Sequence, residues 1–161
     1  MSATPKSKLV DELVAAFRES GNQDSAFENL AAERLGVSRT DLHCLNAIEN
    51  AGGLSAGQLA ERAGLTSGAV TGVVDRLERA GFARRVPDPA DRRRVKVEVT
   101  SEFYARAGAI WGPLREDWEA ALSGHFTAAE LTRITEFLRL TSEVGRRQLE
   151  RLSAGDQAPP A

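Results

Sequence analysis

The apolar positions between residues 54 and 81 follow two short helical patterns separated by a single glycine. The second pattern has apolar residues at i, i+3, i+4 and i+7, which places them on one helix face: Val70, Val73, Val74 and Leu77. Ser55 and Thr66 precede the two patterns as predicted N-caps, and Gln58 completes a capping box with Ser55. Gly64 stands where the chain must turn, because glycine adopts positive φ without steric cost. The pattern predicts two capped helices joined by a tight turn.

Beyond residue 81 the apolar spacing changes to the alternation that is typical of strands. Residues 82–86 form one predicted strand, and in residues 95–99 three valines alternate with a lysine and a glutamate. The connection, residues 87–94, contains two prolines, two aspartates and three consecutive arginines, which favours an exposed turn. Two helices followed by such a two-stranded hairpin make a winged helix-turn-helix, a layout typical of proteins that bind duplex DNA.

The chain before this unit is predicted to be helical. Residues 6–35 carry two apolar stripes, with an interruption at Gly21 and Asn22, where the helix either bends or breaks into two. A capping box of Ser38 and Asp41 begins a second helix that ends near Asn50. This second helix precedes the two capped helices directly, so it is expected to pack against them.

Two further helices are predicted after the hairpin. Thr100 caps a helix that runs to about Leu122, and Pro113 should kink it because proline removes one backbone hydrogen bond. Gly124 is predicted to end this helix. Thr127 begins the last helix in a third capping box.

The terminal helical regions, residues 6–35 and 101–152, have more apolar surface than a chain of this length can cover alone. We predict that they form a helical dimerisation region, with a DNA-binding domain over residues 38–100 and a disordered tail over residues 153–161. An intramolecular helical bundle would show the same spacing. The DNA-binding unit favours the dimer, because two recognition helices about 34 Å apart match successive turns of a duplex.

The composition is ordinary for a globular domain. The chain has 161 residues, 42% of them hydrophobic and 27% charged, and no apolar run approaches the roughly 20 residues of a membrane span. The N-terminus lacks the apolar segment of a signal peptide. The single cysteine excludes an internal disulfide and is typical of a reducing compartment. We therefore expect a cytoplasmic protein without a membrane partner.

The net charge of −2 hides an uneven distribution. Residues 76–96 contain eight basic and three acidic side chains, a net charge of +5, so the rest of the chain carries −7. A basic face on an acidic body favours a polyanionic partner. A solvated run of charges is the alternative, but it leaves the position of these charges on the winged unit unexplained.

Several motifs of residues 54–100 occur together in one known family. The segments are LAERAGLTSGAVTGVVDRLERAGFARR and DPADRRRVKVEVT, with an Asp-x-Arg pair at Asp91 and Arg93 and a wing that ends at Thr100. The chain resembles the MarR (multiple antibiotic resistance regulator) family in these motifs. The resemblance implies a mainly α fold with a small β-hairpin wing (α+β), in which N- and C-terminal dimerisation helices flank the winged helix-turn-helix. It also implies that residues 6–35 form one long helix.

The predicted partner is double-stranded DNA. Small side chains on the second helix of the unit would face base edges in the major groove, and the arginines after them would contact phosphates; these residues are Thr66, Ser67, Gly68, Thr71, Gly72, Arg76 and Arg79. The wing would contribute further basic contacts: Arg84, Arg85, Asp91, Arg92, Arg93, Arg94 and Lys96. Within this set Arg93 is predicted to enter the minor groove, with Asp91 holding it in place.

The resemblance implies a repressor that a small aromatic or phenolic effector releases from DNA. Family members place such ligands between the dimerisation helices and the winged unit, and the residues here that could line this site are His43, Asn46, Trp111, Arg115 and Trp118. The alternative is that the tryptophans are core residues and Arg115 lies on the surface.

Three other functions are alternatives to this interpretation. Oxidation sensing through Cys44 is one alternative, but the oxidation-sensing members carry their cysteine near the start of the first helix. Enzymatic activity has little support, because His43 and His125 are far apart and the chain has no metal-ligand cluster or phosphate loop. We therefore expect no cofactor, no metal and no catalytic residue. A winged helix for protein contact is the third alternative, and it leaves the three arginines at 92–94 unexplained.

Overall fold

A computed structural model describes residues 5–88 and 94–153. The described elements follow the chain in this order: α1 (Lys6–Leu35), α2 (Arg39–Ala51), β1 (Leu54–Ser55), α3 (Ala56–Ala63), α4 (Ser67–Arg79), β2 (Ala83–Pro87), β3 (Val95–Val99), α5 (Ser101–His125) and α6 (Ala128–Ser153). The predicted fold class, mainly helical with a small β wing, is confirmed.

The chain divides into two compact units, Met1–Gly112 and Pro113–Ala161, with the boundary inside α5. The first unit contains the hydrophobic core, to which every element from the end of α1 to the start of α5 contributes. Its fully buried large side chains include Leu45, Leu59, Leu77, Phe82 and Phe103. In the second unit, α6 has no buried residue.

The helix starts follow the predicted caps closely. The Ser38 and Ser55 side chains accept hydrogen bonds from the backbone N–H groups of Asp41 and Gln58, and both capping boxes are complete. Thr66 caps α4 by accepting from the N–H of Ala69 at 3.3 Å. The caps at Ser55 and Thr66 fix the starts of α3 and α4, the two helices that are joined by the turn at Gly64.

The predictions for the long helices are confirmed in one case and wrong in another. Residues 6–35 form one continuous helix through Gly21, as predicted. The helix after the wing does not end at Gly124 but continues to His125. The N–H of Phe126 still donates to the carbonyl of Leu122 at 3.0 Å, and a helical hydrogen bond beyond the glycine outweighs its weak helix propensity.

The predicted two-stranded hairpin is a three-stranded antiparallel sheet in the order β1-β3-β2. Leu54 pairs with Val97 and Ser55 with Lys96, while β2 pairs with the other edge of β3 along its whole length. The sequence did not reveal β1 because two residues are too few to show an alternating pattern. Its effect is to attach the start of α3 to the wing through main-chain bonds.

Gly53 permits this third strand to approach the sheet. Its φ of +116° is one that side chains rarely allow, and a Cβ there would lie 3.2 Å from Cγ of Glu98 and 3.2 Å from Cδ of Lys96. The backbone conformation therefore favours glycine between α2 and β1, and an added Cβ would also have to displace both side chains by a few tenths of an ångström.

An ion pair joins α2 to α4 across 35 positions of sequence. Nε and Nη2 of Arg76 donate to the two oxygens of Asp41 at 3.1 and 2.6 Å. The Asp41 side chain is only 5% exposed, whereas Arg76 is 48% exposed. Burial acts to raise the pKa of Asp41, but the hydrogen bonds from Arg76 and Ser38 outweigh it and hold that pKa below its ordinary value.

None of the helices in the described ranges is both long enough and apolar enough to cross a membrane.

The close approach at Gly53 gives a stability prediction. Gly53→Ala should lower the free energy of unfolding by about 1–3 kcal/mol, because it adds strain at positive φ. Gly108→Ala is the matched control, since Gly108 lies inside α5 with nothing within 4 Å of the added Cβ; it should stabilise by about 0.5–1 kcal/mol. Urea unfolding of both variants measures the difference, and equal effects would contradict a special role for Gly53.

The Asp41–Arg76 pair gives a pH prediction. Because the folded pKa of Asp41 is lowered, its contribution to stability is present above the unfolded pKa and is lost as the pH falls through the folded pKa. Asp41→Asn should destabilise by about 1–3 kcal/mol at pH 7. Its stability should also fall less than that of the wild type as the pH is lowered from about 5 to about 2.

The measurement is urea unfolding at pH 7, 5, 3 and 2 with one fixed protein concentration. Asp24→Asn, which removes an exposed carboxylate of α1, is the control and should behave as the wild type does. Parallel loss of stability in the wild type and in Asp41→Asn across this range would show that Asp41 is not the titrating group.

Candidate nucleic-acid interface

Helix α4 has one buried face and one exposed face. Val70, Val73, Val74 and Leu77 are buried, as the 3-4 spacing predicted. On the other side Ser67, Gly68 and Thr71 are exposed and Gly72 is partly buried. The small exposed side chains let the backbone of this helix come close to a flat or grooved surface.

The hydroxyl of Thr71 is oriented by the helix itself. Its Oγ1 donates to the carbonyl oxygen of Ser67 at 3.1 Å. The oxygen therefore presents its lone pairs outward as acceptors, beside the methyl group of the same residue. An acceptor and a methyl group suit the amino groups and thymine methyl groups that base pairs present in the major groove.

The two arginines predicted on α4 have intramolecular partners. Arg76 binds Asp41 of α2, a partner that sequence reasoning missed because nothing local connects two residues so far apart. Arg79 donates from Nε to the carbonyl oxygen of Asp75 at 3.1 Å, one turn earlier. The phosphate contacts assigned to both arginines stay predictions.

The sheet holds two of its basic side chains on one carboxylate. Glu98 on β3 accepts from Lys96 at 2.8 Å and from Arg84 on β2 at 3.4 Å. The hydrogen bond from Lys96 is the main reason why the pKa of Glu98 lies below its ordinary value. This arrangement joins β2 to β3 by charge as well as by backbone pairing.

Arg85 connects β2 to α4. Its Nη2 donates to Oδ1 of Asp75 at 2.7 Å, and its Nη1 pairs with Oε2 of Glu78. Oε1 of Glu78 also accepts the backbone N–H of Arg85 at 2.8 Å. The hydrogen bond to Asp75 is the largest cause that raises the pKa of Arg85, so this guanidinium is charged at every physiological pH.

The structure changes the charge estimate made from the sequence. The net +5 of residues 76–96 counted only acids inside that segment, but Asp41, Asp75 and Glu98 lie outside it and pair with its cations. Arg76, Arg84, Arg85 and Lys96 all have a carboxylate partner. The basic character of the described surface is therefore weaker than the sequence count implied.

Part of the predicted wing contact set lies outside the described residues. These positions are Asp91, Arg92 and Arg93. Arg94, at the start of β3, is described and exposed. The minor-groove role of Arg93 and its pairing with Asp91 stay predictions from the sequence.

The residues predicted to line an effector site fall in both units. His43 is exposed and Asn46 is half-buried on α2, and Trp111 packs partly buried with its ring centroid 5.9 Å from that of Phe27. Arg115 and Trp118 belong to the second unit, where both are exposed. Trp111 packs against the core of the first unit, which fits the core interpretation, but that interpretation is wrong for Trp118, which is 58% exposed. Whether the five residues form a site stays a prediction.

Cys44 is fully buried on the inner face of α2. Burial is the main cause that raises the pKa of its thiol, with the nearby Asp41 carboxylate adding to it. A raised pKa disfavours the thiolate, which is the reactive form. Among the described residues, no group of three or more His, Cys, Asp or Glu side chains is placed to hold a metal ion.

Comparison with known proteins gives consistent matches. The MarR family profile matches residues 37–95. The HTH-type transcriptional regulator YcgE of Bacillus subtilis is 35% identical over 147 residues, which cover 91% of this chain and 95% of that protein. The HTH-type transcriptional repressor YetL of the same organism is 35% identical over 74 residues, covering 46% of this chain and 38% of YetL.

The fold is also that of a solved family member. The structure of a MarR family protein from Bacillus stearothermophilus has a TM-score of 0.65 and 20% identity, and the match covers 88% of this chain and 99% of that one. The exposed α4 face, the wing beside it and the full-length match to YcgE lead to one assignment. The chain belongs to the MarR family of helix-turn-helix, DNA-binding transcriptional regulators.

Proposed function

We propose that this regulator binds an inverted-repeat operator as a homodimer and represses transcription until a small-molecule effector releases it. The observation that carries the proposal is the face of α4 with small, exposed residues. The helix itself is capped by Thr66, packs against the core through its apolar face and lies beside the wing. A helix of this kind fits the major groove. The similarity to the repressor YetL over 46% of the chain supports repression rather than activation.

In the docked arrangement that we propose, Ser67, Gly68, Thr71 and Gly72 read base edges. Phosphate contacts then come from Arg79 and from the wing, where the three arginines at 92–94 carry most of the predicted charge. Arg93 enters the adjacent minor groove. The ion pairs at Arg84, Arg85 and Lys96 must be exchanged for phosphate contacts if these side chains take part.

The dimer is supported by exposed apolar side chains at the start of α1. Five apolar side chains on one stripe are between 43% and 52% exposed: Leu9, Val10, Leu13, Val14 and Phe17. On α6, Leu138 is 48% exposed, Leu149 is 67% exposed and Leu152 is 71% exposed. Contiguous apolar stripes are rare on the surface of a monomer, and a second copy of the chain is the simplest cover.

For the effector we propose a small aromatic or phenolic compound, as the family resemblance implies. Its candidate contacts within the first unit are His43, Asn46 and Trp111. Oxidation sensing through Cys44 is not favoured, because the thiol is buried and its pKa is raised.

The first test of this proposal is the oligomeric state. Light scattering at micromolar concentration should give twice the subunit mass of 17.3 kDa. Leu13→Glu places a charge on the apolar stripe of α1 and should shift the protein toward monomer. Ala15→Glu adds the same charge on the opposite face of the helix and should leave the dimer intact; equal behaviour of the two variants would contradict the proposed dimer surface.

The second test separates base reading from general DNA affinity. Thr71→Ala removes an acceptor from the proposed reading face. It should cost about 1–3 kcal/mol at the base pair that Thr71 reads and little on random duplex. Binding isotherms on the inverted repeat nearest to the coding region, on its single-base variants and on random duplex measure this.

Thr132→Ala is the matched control for Thr71→Ala. Thr132 makes the same intrahelical hydrogen bond, from Oγ1 to the carbonyl oxygen of Ala128 at 2.9 Å, but it lies on α6. Its removal should leave all three kinds of duplex binding unchanged. Equal weakening of every duplex by Thr71→Ala would show that Thr71 does not read bases.

A further inference from the structure

The two carboxylates that hold Arg85 are not equivalent. Glu78 accepts both the backbone N–H and the guanidinium of Arg85, so it fixes the start of β2 against α4. Among the described contacts, the carboxylate of Asp75 accepts from one guanidinium nitrogen of Arg85, Nη2, at 2.7 Å. The side chain of Asp75 is 51% exposed, whereas that of Glu78 is 32% exposed. The ion pair between Asp75 and Arg85 can therefore open without breaking a hydrogen bond to the backbone of β2.

Asp75 also lies on the proposed reading face. Ser67, Thr71 and Asp75 stand at i, i+4 and i+8 of α4, which places them along one side of the helix. A carboxylate in this position faces the phosphates of any duplex that α4 approaches. It can lower DNA affinity in one of two ways: by repelling phosphates directly, or by occupying a guanidinium that could otherwise bind one of them.

An exposed ion pair of this kind is weak in water and screened by salt, so a phosphate can compete with Asp75 for Arg85. The competition is the same for every sequence, since phosphates carry no sequence information. An internal competitor therefore lowers the affinity for all duplexes by a similar factor, while the contacts with base edges are unchanged.

We propose that Asp75 limits sequence-independent DNA affinity by holding Arg85 in an intramolecular ion pair. The inference rests on the proposed DNA-binding face of α4. Asp75 acts through Arg85, and Glu78 keeps the wing in position when the pair opens.

The test uses the full chain and a random 30-base-pair duplex over a range of salt concentrations. Asp75→Asn should strengthen binding to this duplex several-fold at low salt. Its plot of log K against log salt should steepen by about 0.9 for each subunit, because one more phosphate is neutralised. Asp117→Asn removes one negative charge from an exposed site on α5 and should change neither quantity.

A double variant separates the two ways in which Asp75 could act. In the Arg85→Gln background, Asp75→Asn should give no further gain, because the arginine that it releases is absent. A full gain in that background would show direct repulsion of phosphate and would overturn the proposed exchange. Thermal unfolding checks that each variant folds, and Asp75→Ser replaces Asp75→Asn if the amide disturbs α4.

The outcomes also separate this inference from the function on which it rests. If the wild type binds neither the random duplex nor the inverted repeat at low salt, the proposed DNA-binding face is wrong and the inference falls with it. If the wild type binds DNA and Asp75→Asn matches Asp117→Asn, the proposed function stands and the role of Asp75 alone is wrong.

Discussion

The buried face of α4 is the constraint on which the rest of the first unit depends. Val70, Val73, Val74 and Leu77 are each at most 2% exposed, and burial of such side chains is worth roughly 1.5–3 kcal/mol each. This apolar packing fixes which side of the helix faces outward. The rotation and tilt of α4 are then set by polar contacts at two places, Asp41 on α2 and Arg85 on β2. A reading helix needs both, because a small change in tilt moves its exposed side chains relative to base edges.

Most of this arrangement could be predicted from local sequence. Caps at Ser38, Ser55 and Thr66 depend on residues three positions apart, so the pattern contains all the information that they need. The apolar spacing on α4 predicted its buried face for the same reason. The family resemblance added the order of the elements and the single long α1.

The contacts that sequence reasoning missed are long-range or too short to leave a pattern. The sequence predicts that Asp41 is a capping residue, and the structure confirms it. Nothing near Asp41 in the sequence shows that it also binds Arg76. β1 has two residues and is defined only by its partners on β3. The charge count failed for a related reason: a net charge over a segment leaves out acids that fold onto it from elsewhere, such as Asp75 and Glu98.

These internal ion pairs reduce the free energy that the wing can gain from phosphate contacts in the proposed complex with DNA. With Arg84, Arg85 and Lys96 held by carboxylates, a phosphate must replace an existing partner at each of these positions, so the net gain per contact is smaller than for a solvated cation. In the docked arrangement that we propose, operator affinity then depends more on the contacts of α4 with base edges.

The position of the wing relative to α1 rests on a second set of contacts in the same unit. Arg106 on α5 donates to the carbonyl oxygen of Arg34 at 3.3 Å, in the last turn of α1, and its guanidinium lies 5.2 Å from the ring centroid of Phe82. Phe82 directly precedes β2, and its carbonyl oxygen accepts the N–H of Thr100 at 3.0 Å, just after β3. One side chain thus connects the end of α1 to the root of the wing. A displacement of α1 must therefore either move the root of the wing with it or break the hydrogen bond at Arg34.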